Sequence, residues 1–401
     1  MSWIKKYAHA LLDAHRLTLT NQGKSSKKHA LEVGMTVVFL VCLMLLATLF
    51  TPYNAKLDTP NAFSGNESSQ PKYYRAHIDA VHESTLDITM LDGPRKGQQK
   101  TIDKAATLFD SSENRNAPEY KAGQTVVVGD TTQDSTLYLV DHYRIPLLFA
   151  IALIFISLVL LIGGRQGFGS LIGLGVTMIV IVWFILPFII NGYSPLLVCI
   201  IGAYIIALAS ITIAHGFKRR TFLSVACVVV VLALIAAMAY IAVTLMNFIG
   251  LSDESAYFFA NQRPEIDMRG ILTGGIIIAS LGVLDDVVTA QVATVDELQK
   301  ANPKLSVYEL FMRATSVGKE HISALVNTLV LVYVGAALPM IVATSTYVNS
   351  IVFVNGEYVA TEITRTLIAS IGLIVAVPIS TLIAAFYLHK HALDKSIRTT
   401  H

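Results

Sequence analysis

Charge is what this chain has least of. Lys, Arg, Asp and Glu make up 14% of its 401 residues against 54% hydrophobic residues, and the formal net charge is +2. So small a positive balance gives no electrostatic footprint for nucleic acid, which is set aside as a partner. The mean hydropathy of +0.58 lies far above that of ordinary soluble domains, so most of the chain must live in lipid. Cysteine is scarce too: Cys42, Cys199 and Cys227 all sit inside apolar runs. They are too few and too scattered for a zinc cage or a disulfide framework, and they read as packing residues.

Long apolar runs are what the chain has in plenty. The first, 33–51, follows Lys24, Lys27 and Lys28. Its leading region is too long for a signal peptide and no small-x-small cleavage site follows, so it reads as an uncleaved anchor. Ahead of it, residues 1–32 place Trp3, Ile4, Tyr7, Leu11 and Leu12 on one stripe, as a cytoplasmic amphipathic segment would. Seven further runs cover about 145–162, 167–190, 196–214, 222–249, 270–290, 324–342 and 367–387. Each approaches or exceeds the roughly 20 residues that cross a bilayer. The expected fold is an α-helical polytopic membrane protein of about eight transmembrane helices, seven of them in a membrane domain over 145–389 followed by a tail at 390–401.

Between the anchor and the next helix, residues 52–144 are polar and alternate. Tyr74, Ala76 and Ile78, then Leu86, Ile88 and Met90, show the period of half-buried strands, with Asp92, Gly93 and Pro94 as a turn. Two more strand-like runs, Gln124 to Asp130 and Thr136 to Arg144, complete a β-rich domain of about five strands, similar to an OB-fold. It contains no paired carboxylates and no Gly-rich phosphate loop, and its His77, His82 and His142 are isolated.

Orientation follows from the cations. Arg165, the Lys218-Arg219-Arg220 cluster, Lys300, Lys304, Arg313, Lys319 and the tail with Lys390, Lys395 and Arg398 gather on one side, while the opposite short loops carry Arg263, Arg269 and Arg365 among acidic residues. The positive-inside rule makes the first side cytoplasmic. Both termini are then cytoplasmic in a plasma-membrane protein, and the β-rich domain is extracytoplasmic.

The chemistry-bearing residues fall in two neighbouring runs. Asp285 and Asp286 follow Gly274, Gly275, Ser280 and Gly282 in one apolar segment, with Thr289, Gln291 and Asp296 beyond them. Each Asp costs about 2.5–3.5 kcal/mol at mid-membrane, so the pair requires partners or a position near a polar mouth. Ser306 and Glu309 then form a capping box that starts a short helix near 305–317, lying on the inner surface and ended by Gly318. The next membrane helix opens with Lys319, Glu320 and His321 and carries Asn327 and Thr328 one heptad on. Asp285, Asp286, Glu320 and His321 are thereby expected to meet, with Asn327 and Thr289 beside them.

Three readings of this set stay open. The carboxylates pair with Lys319 or Arg313 to lock the bundle, or two close carboxylates share one proton or cation. In the third, Asp285, Asp286 and His321 hold a catalytic metal, although no recognised metalloenzyme spacing is present. No cofactor is expected, and a bound cation is compatible with the pair. Elsewhere Pro187, Pro339 and Pro378 read as helix kinks, and Gly167, Gly169, Gly173 and Gly175 as a close-packing face.

At these same residues the sequence resembles the YibE/F family of bacterial multipass membrane proteins. The resemblance rests on the stretch from Gly282 through Asp285-Asp286 to Gln291, on Asp296-Glu297-Leu298, and on Gly318-Lys319-Glu320-His321 leading through Asn327-Thr328 to Gly335. It covers about 145–387, and the anchor with its β-rich domain resembles the longer members. The family brings no catalytic residues to carry over. Its members are often encoded as neighbouring pairs, which implies a homo-oligomer or a paired family member besides the lipid bilayer. Three functions follow as expectations: a proton- or cation-coupled transporter or permeation protein, an envelope sensor or assembly scaffold using the external domain, and an intramembrane metal-dependent hydrolase.

Overall fold

The computed structural model describes residues 72–104, 119–130, 137–251, 254–345 and 349–399. The expected amphipathic segment 1–32 and anchor 33–51 lie outside them. The chain divides into two units, one spanning Leu57–Gly164 and the other running on from Arg165.

The first unit holds a five-stranded antiparallel sheet: β1 Lys72–Val81, β2 Thr85–Met90, β3 Gln99–Asp103, β4 Thr125–Asp130 and β5 Leu137–His142, ordered β3-β2-β1-β4-β5. The expected alternation is present. Ala76, Ile78, Leu86, Ile88, Met90, Val126, Val128 and Leu139 point into one apolar core, because side chains two apart share a face of a strand. Strand β3, polar except for the buried Ile102, gave no periodic signal of its own. At the turn after β2 the Asp92 carboxylate accepts from both the backbone amide and Nε of Arg75, each at 2.7 Å, which ties the turn to β1. The histidines are dispersed: His82 pairs with Asp87 at 2.9 Å, and His142 stacks on Tyr120.

Seven helices are long and apolar enough to cross a membrane, which makes this a multipass membrane protein: α1 Ile145–Gly164, α2 Gln166–Ile190, α3 Pro195–His215, α4 Arg219–Leu245, α6 Met268–Ala301, α7 Val307–Ser345 and α9 Glu357–Thr399. The short helices α5 Glu254–Gln262 and α8 Ser350–Asn355 lie between them. The expected total of eight included 33–51, so the described residues account for seven. Gly164 breaks the path between α1 and α2 with φ 50° and ψ −124°. A π-helical turn at Ile181–Ile185 ends two residues before Pro187, while Pro339 and Pro378 lie inside α7 and α9.

In the second unit α3, α6 and α9 run in one direction and share a core with α4. Leu232, Ile235, Ile276, Ile277, Leu284, Val288, Ala376 and Ala384 are among its buried residues. Small residues set the spacing. A Cβ on Gly274 would lie 2.4 Å from Cys199 Sγ, so α3 and α6 touch where Cys199 is a packing residue, as expected. Of the glycine face on α2, Gly169 and Gly173 approach Ile213 and Ser210 of α3, whereas Gly175 has open space around it.

Two expectations are corrected. The capping box forms, with Ser306 and Glu309 bonded reciprocally through N to Oε2 at 2.9 Å and N to Oγ at 3.3 Å. The helix it opens does not end at Gly318: α7 runs unbroken for 39 residues from the expected surface helix near 305–317 through the next membrane span. A glycine inside a helix costs about 1 kcal/mol of propensity. This one is there for closeness, since a Cβ on it would sit 2.5 Å from Val377 Cγ1 and 2.8 Å from Gln291 Oε1. Second, Arg269 and Arg365 lie within α6 and α9 rather than in loops.

Candidate functional site: the Asp285 region

The faces of α6 decide what Asp285 and Asp286 meet. Successive helix residues are about 100° apart. Leu284 and Val288 enter the main core, and Val283 and Val287 pack in the cluster with Leu329 of α7 and Leu373 of α9. That leaves Asp285 turned toward α3 and half-buried, while Asp286 lies on the exposed arc with Gly282 and Ala290.

Asp285 is held weakly. Its Oδ2 accepts from the Ser210 hydroxyl of α3 at 3.3 Å, and its Oδ1 accepts from the amide of Asp286 at 2.9 Å. Among the described residues no Lys or Arg pairs with either aspartate, Lys319 and Arg313 included. The cationic surroundings come instead from the α3–α4 turn, where His215 is within electrostatic reach of Asp286, Lys218 and Arg220. One turn beyond Asp285, Thr289 is buried and its Oγ1 has no hydrogen-bond partner among the described residues.

The other expected site residues stand apart. Glu320, His321, Asn327 and Thr328 are exposed on α7, and no hydrogen bond or ion pair links them to the aspartates among the described residues. Nor, among the described residues, do three His, Cys, Asp or Glu side chains converge as a metal site. Asp296 pairs with Lys300 at 2.7 Å on its own helix.

What does join α7 to the centre is Gln291, which the sequence offered only as part of a polar mouth. Buried at 4% exposure, its Nε2 donates to the Ala314 carbonyl of α7 at 2.8 Å and to Thr381 Oγ1 of α9 at 2.7 Å. Ser210, His215 and Gln291 were missed as a group because nothing in a sequence says which faces of α3, α6, α7 and α9 abut.

Residues 151–390 match the family of YibE/F-like proteins, more than half of the chain. The chain belongs to that family. No curated protein and no solved structure matches it. The YibE/F-like stretch includes α2 to α8 and α9 as far as residue 390, and with them Ser210, His215, Asp285, Asp286 and Gln291. Membership therefore covers the region of interest without naming its chemistry.

Proposed function

We propose that this YibE/F-like protein is a proton- or cation-coupled transporter or permeation protein of the plasma membrane, with Asp285 as the group that takes the proton or cation. The observation that carries this is a half-buried carboxylate on a membrane helix with one long serine contact and no cationic partner among the described residues. A carboxylate in that setting is costly unless a proton or cation neutralises it, and such groups mark ion and proton pathways. Asp286, one residue away, adds a like charge that makes double ionisation harder. His215 and the unpartnered Thr289 hydroxyl supply further polar groups at the same end of the bundle. The positive-inside rule makes that end cytoplasmic and puts the β-rich unit outside. In that unit β1 is bonded to both β2 and β4, which supports the OB-like reading.

The test is thermal stability of the detergent-purified protein across pH and a panel of mono- and divalent cations, wild type against Asp285→Asn. A ligand at about 100 times its dissociation constant stabilises the native state by roughly 2.7 kcal/mol. A cation- or pH-dependent gain that disappears in Asp285→Asn is the expected result, to be followed by flux into liposomes. An unchanged response in the variant would overturn the assignment. The sheet unit, with an apolar core of its own, supports a second reading as an envelope sensor, in which deleting residues 73–143 abolishes function while Asp285 is dispensable.

A further inference from the structure

The turn between α3 and α4 gathers positive charge that no carboxylate among the described residues pairs with. Helix α3 ends at His215, Gly216 turns the chain with φ 72°, and α4 begins at Arg219. Lys218, Arg219 and Arg220 follow one another there, the first two exposed and the third half-buried. By contrast, Lys300 on α6 is held by Asp296 and Glu297. Asp286 is within electrostatic reach of His215 beside the cluster, yet it forms no ion pair with the three cations. The opening amides of α4 add to the charge. They stand at the positive end of its dipole, with no side-chain cap and no acidic residue in the first turn. Two phenylalanines bracket the cations, Phe217 at 57% and Phe222 at 75% exposure.

We propose that this turn binds the phosphate of an anionic phospholipid. Both α3 and α4 are long and apolar enough to span the membrane, so the turn that joins them lies where they leave it, at the level of the lipid headgroups. A phosphate at that level meets cations and uncapped amides together, and an arginine fork fits two of its oxygens at once. The phenylalanines favour a lipid over a soluble anion. A ring left in water gains nothing, whereas beside a lipid it buries its faces among the glycerol and upper acyl carbons. A zwitterionic headgroup brings its own ammonium against the cluster, so net negative charge is what the turn distinguishes. Each cation close to an anionic membrane surface is worth about fivefold in affinity, and three together roughly a hundredfold. The site is independent of the Asp285 reading.

The experiment is lipid titration of the full chain in detergent at low ionic strength, read by native mass spectrometry. Phosphatidylglycerol and phosphatidylcholine of identical chains are compared, with free glycerol phosphate as the headgroup alone. Wild type should prefer the anionic lipid by roughly a hundredfold. R219Q should lower that preference about fivefold and K218Q/R219Q about twenty-five-fold; both side chains are exposed, so the core is left as it is. Lys304, exposed between α6 and α7, is the control of equal charge, and K304Q should leave the preference unchanged. F222A should weaken both lipids and keep their order. Equal binding of the two lipids by wild type, an equal loss in K304Q and R219Q, or glycerol phosphate bound as tightly as the lipid would each overturn the proposal.

Discussion

Replacing Gly318 by alanine separates two accounts of that residue. Were it a helix stop, alanine would add about 1 kcal/mol of helix propensity and the protein would gain stability. In the structure the new Cβ would lie 2.5 Å from Val377 Cγ1 and 2.8 Å from Gln291 Oε1, closer than such atoms approach, so α9 or the Gln291 side chain must move. Overpacking of a well-packed core typically costs about 1–3 kcal/mol. Less the propensity gain, the net loss is about 0–2 kcal/mol, too small for its sign alone to decide. The coupling decides instead. Val377→Ala removes the methyl in the way, so Gly318→Ala should cost about 1 kcal/mol less in that background, within the usual range for touching residues. Reversible unfolding of the four proteins in mixed micelles measures this. Additivity to within about 0.5 kcal/mol, or a Gly318→Ala protein more stable than wild type by the full propensity term, would refute the close-approach argument.

Other perturbations test other joints. Glu357 Oε1 accepts from the amides of Ile249 and Gly250 at 2.9 and 2.6 Å; Glu357→Ala strands both donors and should cost about 1–3 kcal/mol in the same unfolding assay. Gln291→Ala removes two interhelical hydrogen bonds, each worth about 0.6 kcal/mol in a membrane, so a loss above about 1 kcal/mol is expected once packing is included. In the sheet, hydrogen bonds from the Thr101 hydroxyl and then His82 hold the Asp87 carboxyl below its ordinary range. A depressed folded-state value favours the native state above the unfolded carboxylate value of about 3.9 and is lost as pH falls through the folded one. Asp87→Asn should therefore flatten the acid loss of structure below about pH 4, followed by the methyl resonances of Leu86 and Ile88.

Periodicity carried the readings that held. The period of two at Ala76, Ile78, Leu86, Ile88 and Met90 put the right residues into the sheet core, and apolar length found every long helix among the described residues. What failed was the meaning of single residues whose role is tertiary. Gly318 looks the same in a sequence whether it ends a helix or admits a neighbour, and only the position of Val377 tells the two apart. Glu320 and His321 follow Asp285 and Asp286 at a plausible interval, yet spacing sets their level and not their azimuth on α7, and they face outward. Ser210 and His215 drew no notice because their importance comes from α3 lying parallel to α6.

On the proposed membrane placement, that parallel pairing bears on the depth of Asp285. A hydrocarbon core about 30 Å thick takes some 20 helical residues. Counting from Gly270, just past Arg269, α6 leaves it near Thr289, so Asp285 lies about four residues, or 6 Å, inside the boundary. Counting α3 from Pro195 to Ala214 puts Ser210 at the same distance, again about 6 Å. The two helices are counted independently, and the bond between Asp285 and Ser210 requires them to agree. At that level a carboxylate costs less than the mid-membrane value of about 2.5–3.5 kcal/mol yet remains out of bulk water. His215 lies five residues, about 7.5 Å, beyond Ser210 at the end of α3, with Lys218 and Arg220 following it. On the proposed reading a group so placed can exchange protons or small cations with the solution on that side, whereas a carboxylate at the bilayer centre would be cut off from that solution. Moving the charge inward therefore discriminates: in Asp285→Asn, adding Ile278→Asp, two turns deeper on the same face and half-buried like Asp285, should fail to recover the pH- or cation-dependent stability, and full recovery would show that depth is not what tunes the site.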